Sequence, residues 1–276
     1  MSTTITPSAL HEAALAGLPL EVEIIDAHAH VLPPRTAGVS FRYTEPEEMI
    51  VAMDRLGIDR ACISVLGSMA ANDEMLDWVT RFPERFVGFV LINPRYPDQI
   101  LPTLERCFDN PGVKGIGEVH ATSYQHMYPI TGPAYGPMWD FAARRNVPVL
   151  IHSGPMSEAV RCSPTLIGEV ARHHPGFPIL IGHCGAYDSW AMLDEAIGVA
   201  AANEQVYLEI SAMGRFFGVL EYIVGHLGPD KVVYGSDSPF HDWTAEVAHV
   251  ACAKLSDEDK AKIFGGTMRR LLDGGR

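Results

Sequence analysis

Basic charge is scarce in this chain: 21 Lys and Arg stand against 34 Asp and Glu in 276 residues, a formal net charge of -13 with a pI near 5.3. Nucleic acid and anionic membranes both need a basic surface, so neither is expected as a partner, and a small-molecule substrate is favoured. Cysteine is scarce too. Cys62, Cys107, Cys162, Cys184 and Cys252 are odd in number and form no Cys-x-x-Cys pair, which argues against a disulfide framework and a structural zinc ribbon. Reduced thiols fit a cytosolic protein. No stretch reaches the roughly 20 apolar residues that span a bilayer. The first twenty residues also lack the basic start and long apolar core of a secretion signal, so the expected location is the cytoplasm. Sequence repeats with periods of about 20–50 residues are missing as well. What remains, 47% hydrophobic and 20% charged, has the makeup of a folded globular protein. We expect one domain over residues 1–276, with residues 1–21 as an N-terminal arm or a short helix near 9–16. A homo-oligomer is left open.

Against this background, short apolar runs stand out, because four of them close on residues that bind metals. The first, Val22-Glu23-Ile24-Ile25, stops at Asp26-Ala27-His28-Ala29-His30. In a strand, residues i and i+2 point to the same side, so His28 and His30 present their imidazoles together, as a metal site requires. Pro148-Val149-Leu150-Ile151 ends in His152, Pro178-Ile179-Leu180-Ile181 leads to His183, and Lys231-Val232-Val233-Tyr234 leads to Asp237. Continuous apolar runs are the pattern of parallel strands buried on both faces, whose chemistry lies at their C-terminal ends. Further strands are predicted at 60–65, 86–92, 113–119 and 206–210. Helices are predicted at 44–56 with a Thr44/Glu47 capping box, at 72–81 capped by Asn72, and at 98–108, 135–145, 163–173, 190–201, 219–226, 243–254 and 256–272. Such alternation makes parallel βαβ units. An open doubly wound sheet alternates in the same way, but it does not need ligand-type residues from strands one, five, six and eight to meet in one place.

The motifs Asp26-Ala27-His28-Ala29-His30, Ile151-His152-Ser153-Gly154, Gly182-His183-Cys184-Gly185 and Gly235-Ser236-Asp237-Ser238-Pro239 resemble those of the amidohydrolase superfamily. The likeness is to its amidohydrolase-related branch, which includes aminocarboxymuconate semialdehyde decarboxylase. This resemblance implies a single (β/α)8 TIM barrel with His28, His30, His152, His183 and Asp237 around one or two divalent ions, zinc first and manganese as the alternative.

Strand four ends in Glu118-Val119-His120, again a pair at i and i+2. Glu118 is similar by type and strand to the glutamate of TatD-like metal hydrolases, and a carboxylate can bridge two ions about 3.5–4 Å apart. Rim pairing with Lys114 or Arg144, or His120 pointing inward in its place, are the other readings. Asp237 is the expected proton carrier, since a carboxylate within reach of a metal-activated water can take its proton and pass it on. His183 joins it as a second catalytic candidate. Arg215, His120 and His241 are the expected substrate contacts, and Arg42, Tyr124 and His126 fall on predicted loops at the same end. The remaining histidines and Cys184 are read as structural or exposed. On these grounds the expected activity is hydrolysis of an amide, lactone or ester in a small cyclic or carboxylated compound. Nonoxidative decarboxylation of an aromatic or muconate-like acid is the alternative, and a binding protein with a degenerate site comes last.

Overall fold

The computed structural model describes residues 8–32, 43, 45–122, 126–154, 156–187 and 189–275. Eight strands run in parallel: β1 (Ile25–Val31), β2 (Arg60–Val65), β3 (Phe86–Val90), β4 (Val113–Val119), β5 (Val149–Ile151), β6 (Ile179–Ile181), β7 (Val206–Glu209) and β8 (Val232–Val233). Each pairs with the next in sequence order. The ring closes through the segment after β8. Ala27 N–H donates to Tyr234 O at 3.0 Å, Asp237 N–H to His28 O at 2.6 Å and His30 N–H to Ser238 O at 2.8 Å. The eighth strand, predicted over 231–235, is therefore two residues long, and the chain beyond it completes the barrel by backbone hydrogen bonds. The architecture is a (β/α)8 barrel.

Apolar side chains fill two layers. Ile25, Ala27, Cys62, Val87, Phe89, Leu150, Leu180, Tyr207 and Val233 pack together with Met268 and Leu271, a cluster drawn from every strand except β4. At β4, Gly115 leaves the space that the Phe89 ring occupies. This is a packed barrel interior, not a pore. The larger cluster lies between strands and surrounding helices, where Ala29, Val31, Met49, Trp78, Ile100, Trp139 and Ile167 are buried. In β1 the inner residues change parity. Ile25 and Ala27 belong to the interior cluster, whereas Ala29 and Val31 face the helices, and the register against β2 shifts between Asp26 and Ala29. A bulge of this kind re-aims side chains. It turns His28 and His30 into the mouth of the barrel.

Two helix starts differ from the sequence reading. Thr44 lies outside the described residues, and the helix Pro46–Leu56 begins after Glu45 without a side-chain cap, Pro46 supplying the pre-set first turn. Asn72 is the first helical residue of Asn72–Arg81, and its buried amide does other work. It donates to Leu91 O at 2.9 Å and accepts from Leu91 N–H at 3.0 Å, fixing the helix to the end of β3. The last predicted helix is broken into Asp257–Ala261 and Thr267–Leu272 by a π turn at Lys262–Gly266. Near the N-terminus, the helix Ala9–Leu15 is docked: Lys260, fully buried, donates to Ser8 Oγ and Ala251 O at 2.7 Å each, and Ser8 and Ala9 both reach Asp257. All five cysteines are free, and no helix among the described residues is long and apolar enough to cross a membrane.

Candidate active site

His28, His30, Glu118, His120, His152, His183 and Asp237 converge at the C-terminal mouth of the barrel, all buried. His28 and His30 come from β1 and Glu118 from β4, His120 and His152 follow β4 and β5 directly, and His183 and Asp237 follow β6 and β8. The positions after β6 and β8 are set by turns rather than by strand alternation. His183, Cys184 and Asp237 have φ of 54°, 50° and 57°, a left-handed backbone that costs on the order of 1 kcal/mol or more for a residue with a Cβ. Their neighbours hold them there: Asp237 N–H is tied to His28 O, and His183 N–H to a Glu209 carboxylate oxygen at 3.1 Å.

Four ligand-type atoms lie at the spacing one ion demands. His28 Nε2 is 3.2 Å from His30 Nε2, 3.4 Å from Glu118 Oε2 and 3.6 Å from Asp237 Oδ1. His30 Nε2 is 3.5 Å from Glu118 Oε2 and 3.0 Å from Asp237 Oδ1. Nitrogen and oxygen ligands held at about 2.0–2.2 Å from one ion stand roughly 3–3.5 Å from one another. The other Glu118 oxygen faces a second group: His152 Nδ1 at 2.8 Å and His183 Nε2 at 3.8 Å, these two rings 3.3 Å apart. His120 also points inward, its Nε2 2.6 Å from Glu118 Oε2 and its ring stacked on His152. Glu118 and His120 both enter the site, and the rim pairing of Glu118 with Lys114 or Arg144 does not form.

The electrostatics are those of a cation site. Burial opposes charge on every group here. Even so, His120, His28 and His152 hold the Glu118 carboxyl well below its usual range, and His30 with His28 lowers that of Asp237. Burial also opposes a proton on His28 and His30. Glu118 and Glu209 outweigh it at His28, and Asp237 and Glu118 at His30, so both imidazoles are pushed upward. Protons on these two rings balance the carboxylates, and a dication can take their place. His120 and His183 are instead driven down to about 4, chiefly by burial, and stay neutral.

Above this polar floor lies a cavity of about 360 Å³ whose walls, among the described residues, are Leu66, Tyr187 and Phe240. Phe240 meets the His30 ring edge-on at 5.6 Å, and Tyr187 meets His183 at 5.2 Å. His241 stands at the mouth, its Nε2 3.6 Å from Asp237 Oδ2. Arg215 does not line the cavity. Its Nε–H donates to Ala212 O at 2.9 Å and its guanidinium lies 4.7 Å over the Tyr187 ring, so it reaches the site only through that ring. His126 is buried elsewhere, its Nδ1 3.0 Å from the Tyr135 hydroxyl, with burial driving it to about 3. Arg42 and Tyr124 lie outside the described residues.

Sequence reasoning missed Glu209 and gave Asp26 no role. Glu209 closes the apolar run Val206-Tyr207-Leu208 just as His152 and Asp237 close theirs, so the same signal was present. Its Oε2 is 2.9 Å from His28 Nδ1. Asp26 turns away from the cavity and accepts from Ser236 Oγ at 2.5 Å, Ser236 N–H at 3.0 Å and the Trp243 indole N–H. Cys184 is buried, as expected, and donates to Glu209 O.

A family model described as Amidohydrolase matches residues 25–274. Among curated proteins, gamma-resorcylate decarboxylase of Rhizobium radiobacter is 24% identical over 253 aligned residues, covering 74% of this chain and 76% of that protein. Among solved structures, 5-carboxyvanillate decarboxylase of Sphingomonas paucimobilis aligns with a TM-score of 0.70 at 16% identity, covering 92% of this chain and 99% of that one. Dihydroxybenzoic acid decarboxylase of Polaromonas sp. JS666, with bound manganese and the inhibitor 2-nitroresorcinol, aligns at 0.72 and 18% identity, covering 91% and 97%. These relatives overturn the hydrolase expectation, since all three are decarboxylases. Glu118 pointed to hydrolysis by its type and strand alone. The same His and carboxylate floor serves either chemistry, so neither property decides the bond that is broken.

Proposed function

The chain belongs to the amidohydrolase family, and from that premise we propose that it is a metal-dependent nonoxidative decarboxylase of an aromatic carboxylic acid. The observation that carries this reading is the make-up of the cavity: among the described residues, its histidines and carboxylates are joined in the lining by Leu66 and the rings of Tyr187 and Phe240. A flat ring with its carboxylate and a neighbouring oxygen along one edge suits that make-up, the ring against apolar surface and the oxygens toward the floor. Decarboxylase relatives support it further.

The groups that would hold one divalent ion are His28, His30, Glu118 and Asp237, whose donor atoms are already grouped at 3.0–3.6 Å in the pairs measured. Manganese, present in the Polaromonas neighbour, is the first candidate. When bound, the ion supplies positive charge that fixes the substrate oxygens and steadies negative charge developing in the ring. His152, expected as a ligand, keeps Glu118 oriented through the 2.8 Å contact to Oε1. Asp237 would help hold the ion by Oδ1 and faces His241 by Oδ2, which suits it to carry a proton. Held ionised, it takes the proton of the hydroxyl beside the substrate carboxylate and delivers it to the ring carbon bearing that carboxylate. The carbon–carbon bond then breaks, its electron pair restores the aromatic ring, and carbon dioxide leaves. The product oxygen regains its proton from water by way of His241, and Asp237 is left ionised as it began. The neutral His183 and His120 line the floor as hydrogen-bonding contacts for the substrate oxygens, and Arg215 shapes the wall through Tyr187.

Manganese-loaded protein offered gamma-resorcylate and 5-carboxyvanillate, with carbon dioxide release followed against metal-free protein, tests this reading. Metal-dependent release from either acid or a close analogue is expected. Hydrolysis of an amide, lactone or ester panel with no carbon dioxide from any aromatic acid would overturn it.

A further inference from the structure

Behind the donor atoms, one carboxylate gathers hydrogen bonds from three strand ends. Glu209, the last residue of β7, has no exposed surface. Its Oε2 is 2.9 Å from His28 Nδ1, 2.9 Å from Ser211 Oγ and 3.1 Å from His183 N, and its Oε1 is 2.6 Å from Ser211 N. An ionised carboxylate only accepts, so each of these contacts needs a proton on the other partner. His28 must then carry its proton on Nδ1, with Ser211 Oγ a more distant neighbour of the same nitrogen at 3.4 Å. In the neutral ring the lone pair of His28 is then on Nε2, the atom that faces His30, Glu118 and Asp237.

Ser211 passes the constraint on. A hydroxyl has one proton, and with that proton given to Glu209, Ser211 Oγ can only accept from His183 Nδ1, 2.9 Å away. His183 is thereby protonated on Nδ1 as well, and its Nε2 lone pair faces His152 and Glu118. Space for this arrangement comes from Gly235, where a Cβ would stand 2.2 Å from Glu209 Oε1 and 2.9 Å from His28 Cβ. Two backbone N–H groups, which can only donate, meet both oxygens of Glu209, Ser211 N at Oε1 and His183 N at Oε2, and this makes the carboxylate the acceptor on each side.

We propose that Glu209 is a positioning residue that sets the tautomers of two imidazoles at once, His28 directly and His183 through Ser211, so that both present Nε2 to the reacting end of the cavity. The inference rests on His28 being a metal ligand, as proposed above. Partners that fix a ligand imidazole in this way typically change metal affinity by about 10–100-fold when removed.

The test uses 15N-histidine protein substituted with 113Cd, which is diamagnetic, together with manganese titration of the metal-free form. Wild-type protein is expected to show cadmium coupling at His28 Nε2 with a proton on Nδ1, and a proton on His183 Nδ1. Glu209→Gln is expected to weaken manganese binding about 10–100-fold, with Glu209→Asp recovering part of the loss. Ser211→Ala should keep the His28 coupling while His183 loses its fixed Nδ1 proton. Absence of cadmium coupling at His28 would overturn the ligand reading itself. Coupling at Nε2 combined with unchanged manganese affinity in Glu209→Gln, or a wild-type His183 protonated on Nε2, would overturn the positioning role alone. The wild-type spectra give this answer even where a variant does not fold.

Discussion

The barrel buries two sets of carboxylates and treats them in opposite ways. Glu118, Asp237 and Glu209 face imidazoles, and those rings hold all three below the usual carboxylate range against the pull of burial. Asp26 and Glu246 lie outside that ring of histidines. Burial raises Asp26 to about 6, with Ser236 and Trp243 offsetting part of the rise, and raises Glu246 to about 8, with the Glu209 charge adding to it. Among the described residues, Glu246 accepts only from Ala212 N–H, at 3.2 Å, and its second oxygen has no partner. Residue type is the same in both sets. What differs is whether an imidazole ring or only uncharged donors lie across the contact, and that separates groups able to hold a cation from groups that support the barrel.

The comparison can be broken first at the imidazoles. In His28→Ala/His30→Ala, elemental analysis should find the metal lost and turnover gone; metal content equal to wild type would remove the site from this end of the barrel. Next in size is Asp237→Asn, which keeps the shape but cannot pass a proton at neutral pH. Turnover should fall about 10²–10⁴-fold while most of the metal stays, and near-normal kcat would take Asp237 out of proton transfer.

On the supporting side, effects should appear in stability rather than in chemistry. Glu246 has a folded pKa of about 8 against an ordinary value of 4.5, so the folded state keeps a proton that the unfolded chain has released. The stability this contributes is fully present below pH 4.5 and is lost as pH rises through about 8. Urea unfolding of metal-free protein should therefore show Glu246→Gln gaining on wild type between these limits, by on the order of a few kcal/mol at pH 9. A constant difference across the range would mean that Glu246 ionises normally. The smallest expected effect is Ser236→Ala, which removes the 2.5 Å contact to Asp26 and should cost about 1–3 kcal/mol with kcat/KM little changed. A large loss of kcat would place Asp26 with the first set.

The site residues were legible wherever an apolar strand ran straight into them. His28, His30, Glu118 and His152 are at or next to strand ends, so the run itself marked their place. Glu209 gave the same signal and was passed over because a glutamate closing a run can point into the mouth or away from it. Asp26 shares the sequence parity of His28 and His30, yet the bulge in β1 turns it toward Trp243. Arg215 had the charge to bind a carboxylate, and its place over Tyr187 depends on the turn after β7, which leaves no periodic trace. The reaction was misjudged for a related reason. The motifs do not separate hydrolysis from decarboxylation, and the wall residues Leu66, Tyr187 and Phe240 all lie outside them and stood out in no pattern.

The sequence by itself determined the alternation of strand and helix and the gathering of metal-binding side chains at one end of the strands. Hydrophobic periodicity is a local property, and a parallel strand buried on both faces has to be a continuous apolar run. Only the tertiary structure decided which carboxylates keep their charge, which imidazole nitrogens face the cavity, and that β8 closes the barrel through residues beyond the strand itself. Those outcomes rest on contacts between positions as far apart as His28 and Glu209 or Asp26 and Ser236, where burial and the charge across a few ångströms set the result.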